Sequence, residues 1–574
     1  MELLLGNKNR FVWVLPLFAG FPSGCMVGME GIDRRIDTVL RNRSIELGEF
    51  VAAPESGRND DQNTNTKAQA DKAIPTVNPA PDELEYTPAD EARDAQARLD
   101  GFLAENQGER LPLPLAEALR ISQTSSREFQ SAREDYILSA ISLLIQRHRF
   151  NPRLFNTTTV NIAGAGDDAS FTSVLSIMNE LGVTKNFERG GQVAASWIIN
   201  AAEDLRNGVS DRYTQSSELV LSGSFPLLRG FGLVASEGLI QAERDLVYAA
   251  RNYERFRREF FVSIASEYIR LLQQLASIAN QERRIESLEN LAAETQAKSD
   301  AGQVRDFEIS IAESDLFQAR AALAGLRDRY RLSEDRFKIR IGLELDKDVD
   351  VTPMELAIPD PEVSLDDAMM RALDYRLDLQ NTRDRVLDAR RGVSNARNDL
   401  LPDLNFNARV GLPTDPDVDE GRLDFDPDEL SYSAGMTLGL ALDRMDEKLR
   451  VRRSIISLER QIRGYERERD NVVIDSRAAV RGVELARLQL TLAERQVETN
   501  RRRQRGQELD RDNVTPQEIV DTQNALLSAE NARDQALADL RVSILQYLLG
   551  TGQMRVTDEG AIAPIGGLEM MPVE

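Results

Sequence analysis

Two residue types that carry much of protein chemistry are almost missing here: the 574 residues include one histidine and one cysteine. Catalytic triads that need histidine, and metal sites built from histidine and cysteine, are therefore nearly excluded. His148 stands between two arginines at the end of a predicted helix, which indicates a solvated or capping role. Basic residues are outnumbered by acidic ones, 71 against 95, and the net charge is −24. That balance opposes phosphate neutralisation, so nucleic acid is not an expected partner.

Glycine and proline are absent between residues 239 and 301, where apolar residues recur every three or four positions. This spacing is typical of an amphipathic helix, which at roughly 1.5 Å per residue would be about 90 Å long. So long a helix cannot pack inside one compact core, and we expect it to meet other helices side by side, as in a coiled coil or helical barrel. Gly302 is predicted to end it with a left-handed cap. A second helical run, 307–341, returns antiparallel.

The same hairpin occurs twice in the sequence. Shifting the numbering by 210 aligns Val304 with Val514 without a gap, and Asp512-Asn513 replaces the Gly302 turn. An earlier part repeats at a shift of 250, which aligns Leu115, Ala118 and Pro152 with Leu365, Ala368 and Pro402. Internal duplication is therefore the main architectural feature, and it predicts two related halves of one elongated body.

The first 25 residues resemble a secretory signal. Two basic residues precede an apolar run, 11–21, that is too short to span a bilayer, and small residues follow it. Cys25 stands where bacterial lipoproteins carry their lipidated cysteine. Lipidation is therefore favoured over an ordinary cleaved signal with an incidental cysteine, because a lone thiol is a liability in an oxidising compartment.

Residues 26–110 are predicted to be a disordered or tether segment. From Glu46 to about Asp94 the composition shifts to asparagine, aspartate, threonine, proline and alanine. Too few large apolar residues remain there to bury a core. Helical periodicity then begins near Leu115 and stops at Asn151-Pro152, because proline disfavours helix at the preceding residue.

Several later stretches alternate with a period of two. Apolar residues occupy every second position in 404–412 and 434–442, most of them in 219–227, and a further candidate strand carries Val193, Ala195, Trp197 and Ile199. Runs of about ten residues that are apolar on one side are typical of outer membrane barrels. A soluble hairpin packed on helices alternates in the same way, so the period leaves both open. The acidic loop 413–431 is expected to be solvated, because its spacing matches no calcium loop.

The order of these elements resembles the TolC-like outer membrane efflux protein family: helix, strand, loop, strand, long helix, turn, long helix, all duplicated. Four local sequences are similar as well: Leu115-Ala116-Glu117-Ala118-Leu119, the stretch 225–232, Arg376-Leu377-Asp378-Leu379 with leucine in place of the family's proline, and Leu400-Leu401-Pro402-Asp403-Leu404. The resemblance divides the chain into a first repeat (111–345), a second repeat (346–552) and a C-terminal tail (553–574).

The resemblance implies a mainly α fold with a β-barrel portion, built from duplicated long helical hairpins and four or more transmembrane strands per chain. A homotrimer would then form a twelve-stranded barrel in the outer membrane, continued by an α-helical tunnel through the periplasm. The strands must close into a barrel, because the backbone groups at an open sheet edge have no hydrogen-bond partners in lipid.

The implied function is passive. The chain would be the outer membrane channel of a tripartite efflux or type I secretion system, joined by a periplasmic adaptor to an inner-membrane pump. No residue constellation suggests an enzyme or a cofactor, and a polymer hydrolase lacks any pocket signature. A different interpretation is a lipid-tethered periplasmic coiled-coil scaffold without a channel.

Two functional regions are implied by the resemblance. The turns would dock the adaptor through Gly302, Gln303, Val304, Asp512, Asn513 and Val514. Glu518 and Asp521, three residues apart and on one helical face, would form a periplasmic gate of carboxylate rings that favours cations. Arginines near the end of the preceding helix would pair with neighbouring acids: Arg501, Arg502, Arg503 and Arg505. Two acids in a first helical turn also simply complement the helix dipole.

Overall fold

The computed structural model describes residues 29–47, 111–167, 170–204, 213–303, 305–352, 361–414, 425, 427–510, 514–556 and 562–563. The chain divides into two compact units, Met1–Glu85 and Tyr86–Glu574. In the first unit, helix α1 spans Met29–Leu47. It lies within the range 26–110 predicted as a tether, so the beginning of that range is helical. Cys25 lies outside the described residues.

Among its described residues, the second unit has eight α-helices, which fall into two sets of four. The first set is α2 (Leu115–Ser125), α3 (Arg127–His148), α4 (Glu237–Asp300) and α5 (Asp306–Ile341). The second set is α6 (Leu365–Tyr375), α7 (Leu377–Asn398), α8 (Met445–Leu509) and α9 (Pro516–Gly550). The first and last residues of α2 and α3 map onto those of α6 and α7 at a shift of 250, and α5 maps onto α9 at a shift of 210 within one residue. The structure therefore confirms the duplication.

Each long helix packs along two shorter ones in turn. The early part of α4 meets α3, where Phe129 packs its ring against Tyr253 and Phe260, and its later part meets α5. In the same way, α8 packs first against α7 and then against α9. The second unit therefore contributes four columns of helix: α4, α3 followed by α5, α8, and α7 followed by α9.

Ion pairs and a hydrogen bond to a carboxylate join the two repeats. Asp384 accepts a 2.8 Å hydrogen bond from Arg251, and Asp388 accepts one of 2.9 Å from Arg244, so α7 is fastened to α4. Farther along, Asn280 of α4 donates to Asp534 of α9 over 2.9 Å. These aspartates are mostly buried, and removal of one partner from such a pair leaves an uncompensated charge. The two repeats are thus held together by charged contacts as well as by apolar packing.

The strands are β1 (Leu111–Leu113), β2 (Arg153–Asp167), β3 (Ser170–Asn186), β4 (Gln192–Asp204), β5 (Tyr213–Pro226), β6 (Val349–Val351), β7 (Asp403–Pro413), β8 (Ser431–Gly439), β9 (Arg555–Val556) and β10 (Ile562–Ala563). β1 pairs with β6 in parallel and ties together the starts of the two repeats. β9 pairs with β10. The other six form one antiparallel sheet in the order β2-β3-β4-β5-β7-β8.

The sheet has six strands, two more than the smallest number expected from the sequence. The candidate strand around Trp197 is confirmed as β4, but its partner β3 was missed. The two repeat shifts, 250 before the sheet and 210 after it, differ by 40, which is the net length inserted in the first half. The insertion forms the hairpin β3–β4, which lies inside the sheet and leaves β2 and β8 as its edges.

Candidate functional site

The first hairpin tip is closed by glycine geometry. Gly302 has a φ of +72°, in the left-handed region that favours glycine. Its N–H donates to the carbonyl of Ser299, and the N–H of Gln303 donates to that of Lys298, each over 2.8 Å. This pair of bonds is the Schellman motif, which satisfies the last carbonyls of α4. Gly302 and Gln303 are exposed, and Val304 lies outside the described residues.

The second tip is built differently. Asp512 and Asn513 lie outside the described residues, while Val514 is half-buried. Thr515 caps α9, with its hydroxyl 3.4 Å from the N–H of Glu518. The Glu518 carboxylate accepts hydrogen bonds in return from the N–H and the hydroxyl of Thr515, over 3.0 and 2.9 Å. This reciprocal arrangement is a capping box.

The capping box also stabilises the charged form of Glu518. The N–H of Thr515 and then its hydroxyl hold the pKa of Glu518 below its usual value. Asp521 lies one turn farther along, where it accepts a 3.0 Å hydrogen bond from Gln517. Both carboxylates are exposed. The structure thus places both acids beside the tip and gives Glu518 a helix-capping role.

The arginines near the tip have separate partners. Arg501 donates to Glu530 over 2.8 Å, Arg502 pairs with Glu498 on its own helix, and the positive charge of Arg503 contributes to the low pKa of Glu518. Two of these four predicted arginines are therefore held by acids on α8 and α9. Arg505 is exposed near the end of α8.

The joint between α6 and α7 carries the Arg-Leu-Asp-Leu motif. Arg376 ends α6 and caps α7, and Leu377 takes the first helical position. Proline is favoured at that position because its missing N–H is not needed there, so leucine replaces it without losing a hydrogen bond. Burial alone would lower the pKa of Arg376, but hydrogen bonds to Asp378 and Asp475 raise it. An adjoining cavity of about 460 Å³ is lined by these charged side chains, which already form ion pairs with one another.

The register of the six-stranded sheet sorts its side chains onto two faces, because paired residues in antiparallel strands point the same way. The apolar face carries Leu154, Val160, Ile162, Leu175, Ile177, Leu181, Val183, Val193, Ala195, Trp197, Ile199, Leu219, Leu221, Phe225, Leu404, Phe406, Ala408, Val410, Leu412, Tyr432, Ala434, Met436 and Leu438. On it, Asn179 donates to Asn156 and Thr158 over 2.8 and 2.7 Å, so these three polar groups satisfy one another.

The polar face is mostly hydrophilic across the same six strands. It carries Thr157, Thr159, Asn161, Ser176, Glu180, Ser196, Asn200, Glu218, Ser222, Ser224, Asn405, Asn407, Arg409, Ser433 and Thr437. Arg409 and Glu218 form a 3.1 Å ion pair there. The sequence pattern predicted this alternation on β4, β5, β7 and β8, and it did not identify β2 or β3.

Many side chains on the apolar face are uncovered. Tyr432 is 83% exposed, Ile162 74% and Met436 68%. Contiguous apolar surface of this extent on a soluble protein marks a contact with lipid or protein. Within the described ranges, no helix combines the length and hydropathy needed to cross a bilayer. The same ranges hold no group of three or more metal-ligating side chains.

No protein-family model and no curated protein matches the sequence, but solved structures do. The Campylobacter jejuni CmeC outer membrane channel is 14% identical with a TM-score of 0.58, over 85% of this chain and 95% of that one. The Vibrio cholerae outer membrane protein VceC is 13% identical with a TM-score of 0.58, over 76% and 96%. The Neisseria gonorrhoeae MtrE channel is 15% identical with a TM-score of 0.55, over 76% and 88%. The chain therefore has the fold of the TolC-like outer membrane channels.

Proposed function

We propose that the chain is the outer membrane channel of a tripartite efflux or type I secretion system. Three copies would form a passive duct for small molecules or proteins, with the sheet in the cell outer membrane and the helices in the periplasm. A periplasmic adaptor would join the helical end to an inner-membrane pump. The fold of CmeC, VceC and MtrE supports this proposal.

The observation that carries the proposal is the contrast between the two faces of the sheet. One side of all six strands is apolar and largely uncovered, whereas the other is hydrophilic. A barrel wall between lipid and water needs this arrangement. A scaffold that lies wholly in the periplasm would instead leave the apolar face against water, so the second interpretation leaves this surface unexplained.

Membrane extraction and channel recording together test the proposal. A channel should stay in the outer membrane after carbonate washing, run as a heat-modifiable oligomer and conduct ions in planar bilayers. A lipid-tethered scaffold should instead be released in soluble form by proteolysis near residue 95. Release without any conductance would overturn the channel assignment.

Glu518 and Asp521 are proposed to line the periplasmic gate. Their exposure and their place beside the tip support this role, although Glu518 also caps α9. The double variant Glu518→Gln, Asp521→Asn separates the two roles, because glutamine also serves in a capping box. We expect it to weaken cation selectivity and block by divalent ions, and to do so as strongly as Glu518→Ala, Asp521→Ala. Unchanged selectivity in both variants would remove the gate assignment.

The tip residues Gly302, Gln303, Val304, Asp512, Asn513 and Val514 are proposed to dock the adaptor. Gly302→Val should impair export while the oligomer persists in the membrane. Gly230→Val is the matched control, because Gly230 also has a positive φ and an added Cβ would meet no atom within 4 Å at either glycine. Equal loss of export in both variants would mean that backbone strain is the cause.

Cys25 is proposed to carry the lipid anchor. Its place after a short apolar run and two small residues supports this. Radiolabelled palmitate should enter the native chain and not Cys25→Ser, and incorporation into both would refute the assignment.

A further inference from the structure

We infer that the membrane wall contains six strands from each chain, so that three copies form an eighteen-stranded barrel through pairing of β8 with β2 of the next copy. The inference rests on the proposed function, and it replaces the twelve strands that the resemblance implies. The interaction surface is the pair of sheet edges, and the partner is a second copy of this chain.

The inserted hairpin belongs to the wall itself. β3 pairs with β2 from Arg153↔Thr184 to Asp167↔Ser170, and β4 pairs with β5 from Gln192↔Ser224 to Glu203↔Tyr213. β3 and β4 also pair with each other along the whole length of β4. Removal of this hairpin from the sheet would strip β2 of its neighbour, so the insertion is not an appendage on a four-stranded sheet.

The side chains of the insertion match those of the strands beside it. Ile177, Leu181 and Trp197 continue the apolar face, and Glu180 and Asn200 continue the polar face. A hairpin that folded over the mouth of the barrel, or that packed on the helices, would not need apolar side chains on one face and polar side chains on the other in line with its neighbours. The two added strands therefore suit the same lipid-to-water boundary as the other four.

The two edges are matched to each other. The strands alternate in direction and their number is even, so β2 and β8 run in opposite directions. When β8 lies beside β2 of the next copy, the antiparallel order continues around a closed ring. In lipid no water is present to form hydrogen bonds with the unpaired N–H and C=O groups of the two edges, so pairing between copies is what supplies these bonds. An exposed edge is in any case a ready template for another strand.

The helices set a perimeter that fits this count. Three copies would bring twelve helical columns, which at 8–10 Å spacing give a perimeter of about 95–120 Å. Strands about 4.8 Å apart and tilted by about 40° each occupy about 6 Å of the barrel perimeter. Eighteen strands therefore give a perimeter of about 110 Å, and twelve strands give about 75 Å. The insertion therefore lets the wall and the helical tunnel meet at nearly equal width.

The added strands also bear on the cargo. Barrel diameter grows roughly linearly with strand number, so the membrane part would be about one and a half times as wide as a twelve-stranded barrel of the same tilt. The proposed gate of Glu518 and Asp521 lies at the tip of the helical part, away from the added strands. Cargo size would thus be limited at the tips and not in the membrane.

Electron cryomicroscopy of the purified oligomer tests the inference directly. We expect threefold symmetry and eighteen strands.

The matched variant replaces residues 168–213 with Asn-Gly, a pair suited to a two-residue hairpin. This replacement joins β2 directly to β5 and keeps each side chain on its original face of the sheet. It should give twelve strands and a narrower barrel. A native wall of twelve strands with residues 170–204 outside it would overturn the inference and leave the proposed function standing. Absence of any membrane-embedded ring would overturn both.

Disulfide trapping tests the edge pairing independently of imaging. Val160→Cys on the apolar face of β2 is combined in turn with Ala434→Cys, Met436→Cys and Leu438→Cys on the same face of β8. Antiparallel partners lie within disulfide reach, so one pair should give covalent trimers. Asn161→Cys on the opposite face, with the same partners, should give none, and the parent chain reports any background from Cys25. Equal yields from both series, or no trimers from either, would overturn the pairing.

Discussion

Glu518 shows how one carboxylate can serve both a helix and a channel. Its pKa lies below the ordinary value of 4.5, because the N–H and hydroxyl of Thr515 bind its charged form. A carboxylate with a lowered folded pKa stabilises above its unfolded pKa, and the stabilisation is lost as the pH falls through the folded pKa. The first turn of α9 should therefore be stable at neutral pH and fray at acidic pH.

Hydrogen exchange at the amide of Thr515 measures this loosening. We expect strong protection at neutral pH that declines from about pH 5 downward, after correction for the intrinsic exchange rate. Glu518→Ala should remove the protection at every pH. Glu518→Gln should keep it and abolish the acid-dependent decline, because the amide has no charge to lose. A decline of equal size in the glutamine variant would assign the pH effect to another group.

The capping box at Thr515 could be predicted from the sequence, but the ion pairs between the two repeats could not. Thr515-Pro516-Gln517-Glu518 carries the spacing of a capping box and a proline at the first helical position. By contrast, Asp384 and Asp388 resemble solvated acids on a helix surface. Their partners Arg244 and Arg251 lie in the other repeat, and only the packing of α7 on α4 brings them together.

At the scale of elements, the end of α5 is fixed against the end of α2. Gly342 has a φ of +82°, and a Cβ there would lie 2.3 Å from the carbonyl oxygen of Ser125. Gly342→Ala should therefore lower the temperature at which helical circular dichroism is lost. The left-handed backbone alone costs an alanine about 1–2 kcal/mol, and the clash adds to this cost.

Gly302→Ala is the control for this contact. Gly302 has a similar φ but open space around it, so its alanine variant reports strain without a clash and should melt closer to the native protein. Equal losses of melting temperature at Gly302 and Gly342 would show that the contact with Ser125 adds nothing.

The two faces of β8 give a second prediction at this scale. Met436→Arg places a charge on the apolar face, which costs about 2–4 kcal/mol near the middle of a bilayer. Thr437→Arg places the same charge on the polar face. We expect the first variant to reduce the heat-modifiable oligomer in outer membranes and the second to leave it near the native amount. Equal amounts from both variants would contradict the assignment of the faces.

Long elements were easier to predict than short ones, for a physical reason. A helical period sustained over α4 or α8 accumulates evidence along more than 60 residues, and the second copy repeats it. β3 offers much less evidence. Met178 falls on its polar face and Asn179 on its apolar face, so alternation is blurred where it would have revealed the strand. Without β3, the neighbouring β4 could be identified but not placed in the sheet.

At the largest scale, the sheet and the helices give the second unit two distinct ends. The connection between β3 and β4 lies beside the helices, where the carbonyl of Arg189 accepts a 2.9 Å hydrogen bond from Gly232. The connections β2–β3, β4–β5 and β7–β8 leave the sheet at the opposite end. If the sheet spans the outer membrane, these connections face the outside of the cell.

Labelling of intact cells tests this orientation. Asp419→Cys, in the connection between β7 and β8, should react with a membrane-impermeant maleimide. Glu188→Cys, in the connection between β3 and β4, should react only after the outer membrane is permeabilised, and the parent chain corrects for Cys25. The reverse pattern would mean that the helices lie outside the cell.

The order of the strands also constrains how the protein reaches its folded state. β2, β3, β4 and β5 are consecutive in the chain and pair as local hairpins, whereas β5 must find β7 across the entire first long hairpin. Local pairing forms quickly, and pairing between distant segments is slow because a long loop must first close. The four-stranded meander should therefore exist, with its apolar face unshielded, before the last two strands join it. During export the nascent chain is thus most exposed to aggregation in that interval, which makes this segment the part most in need of a chaperone.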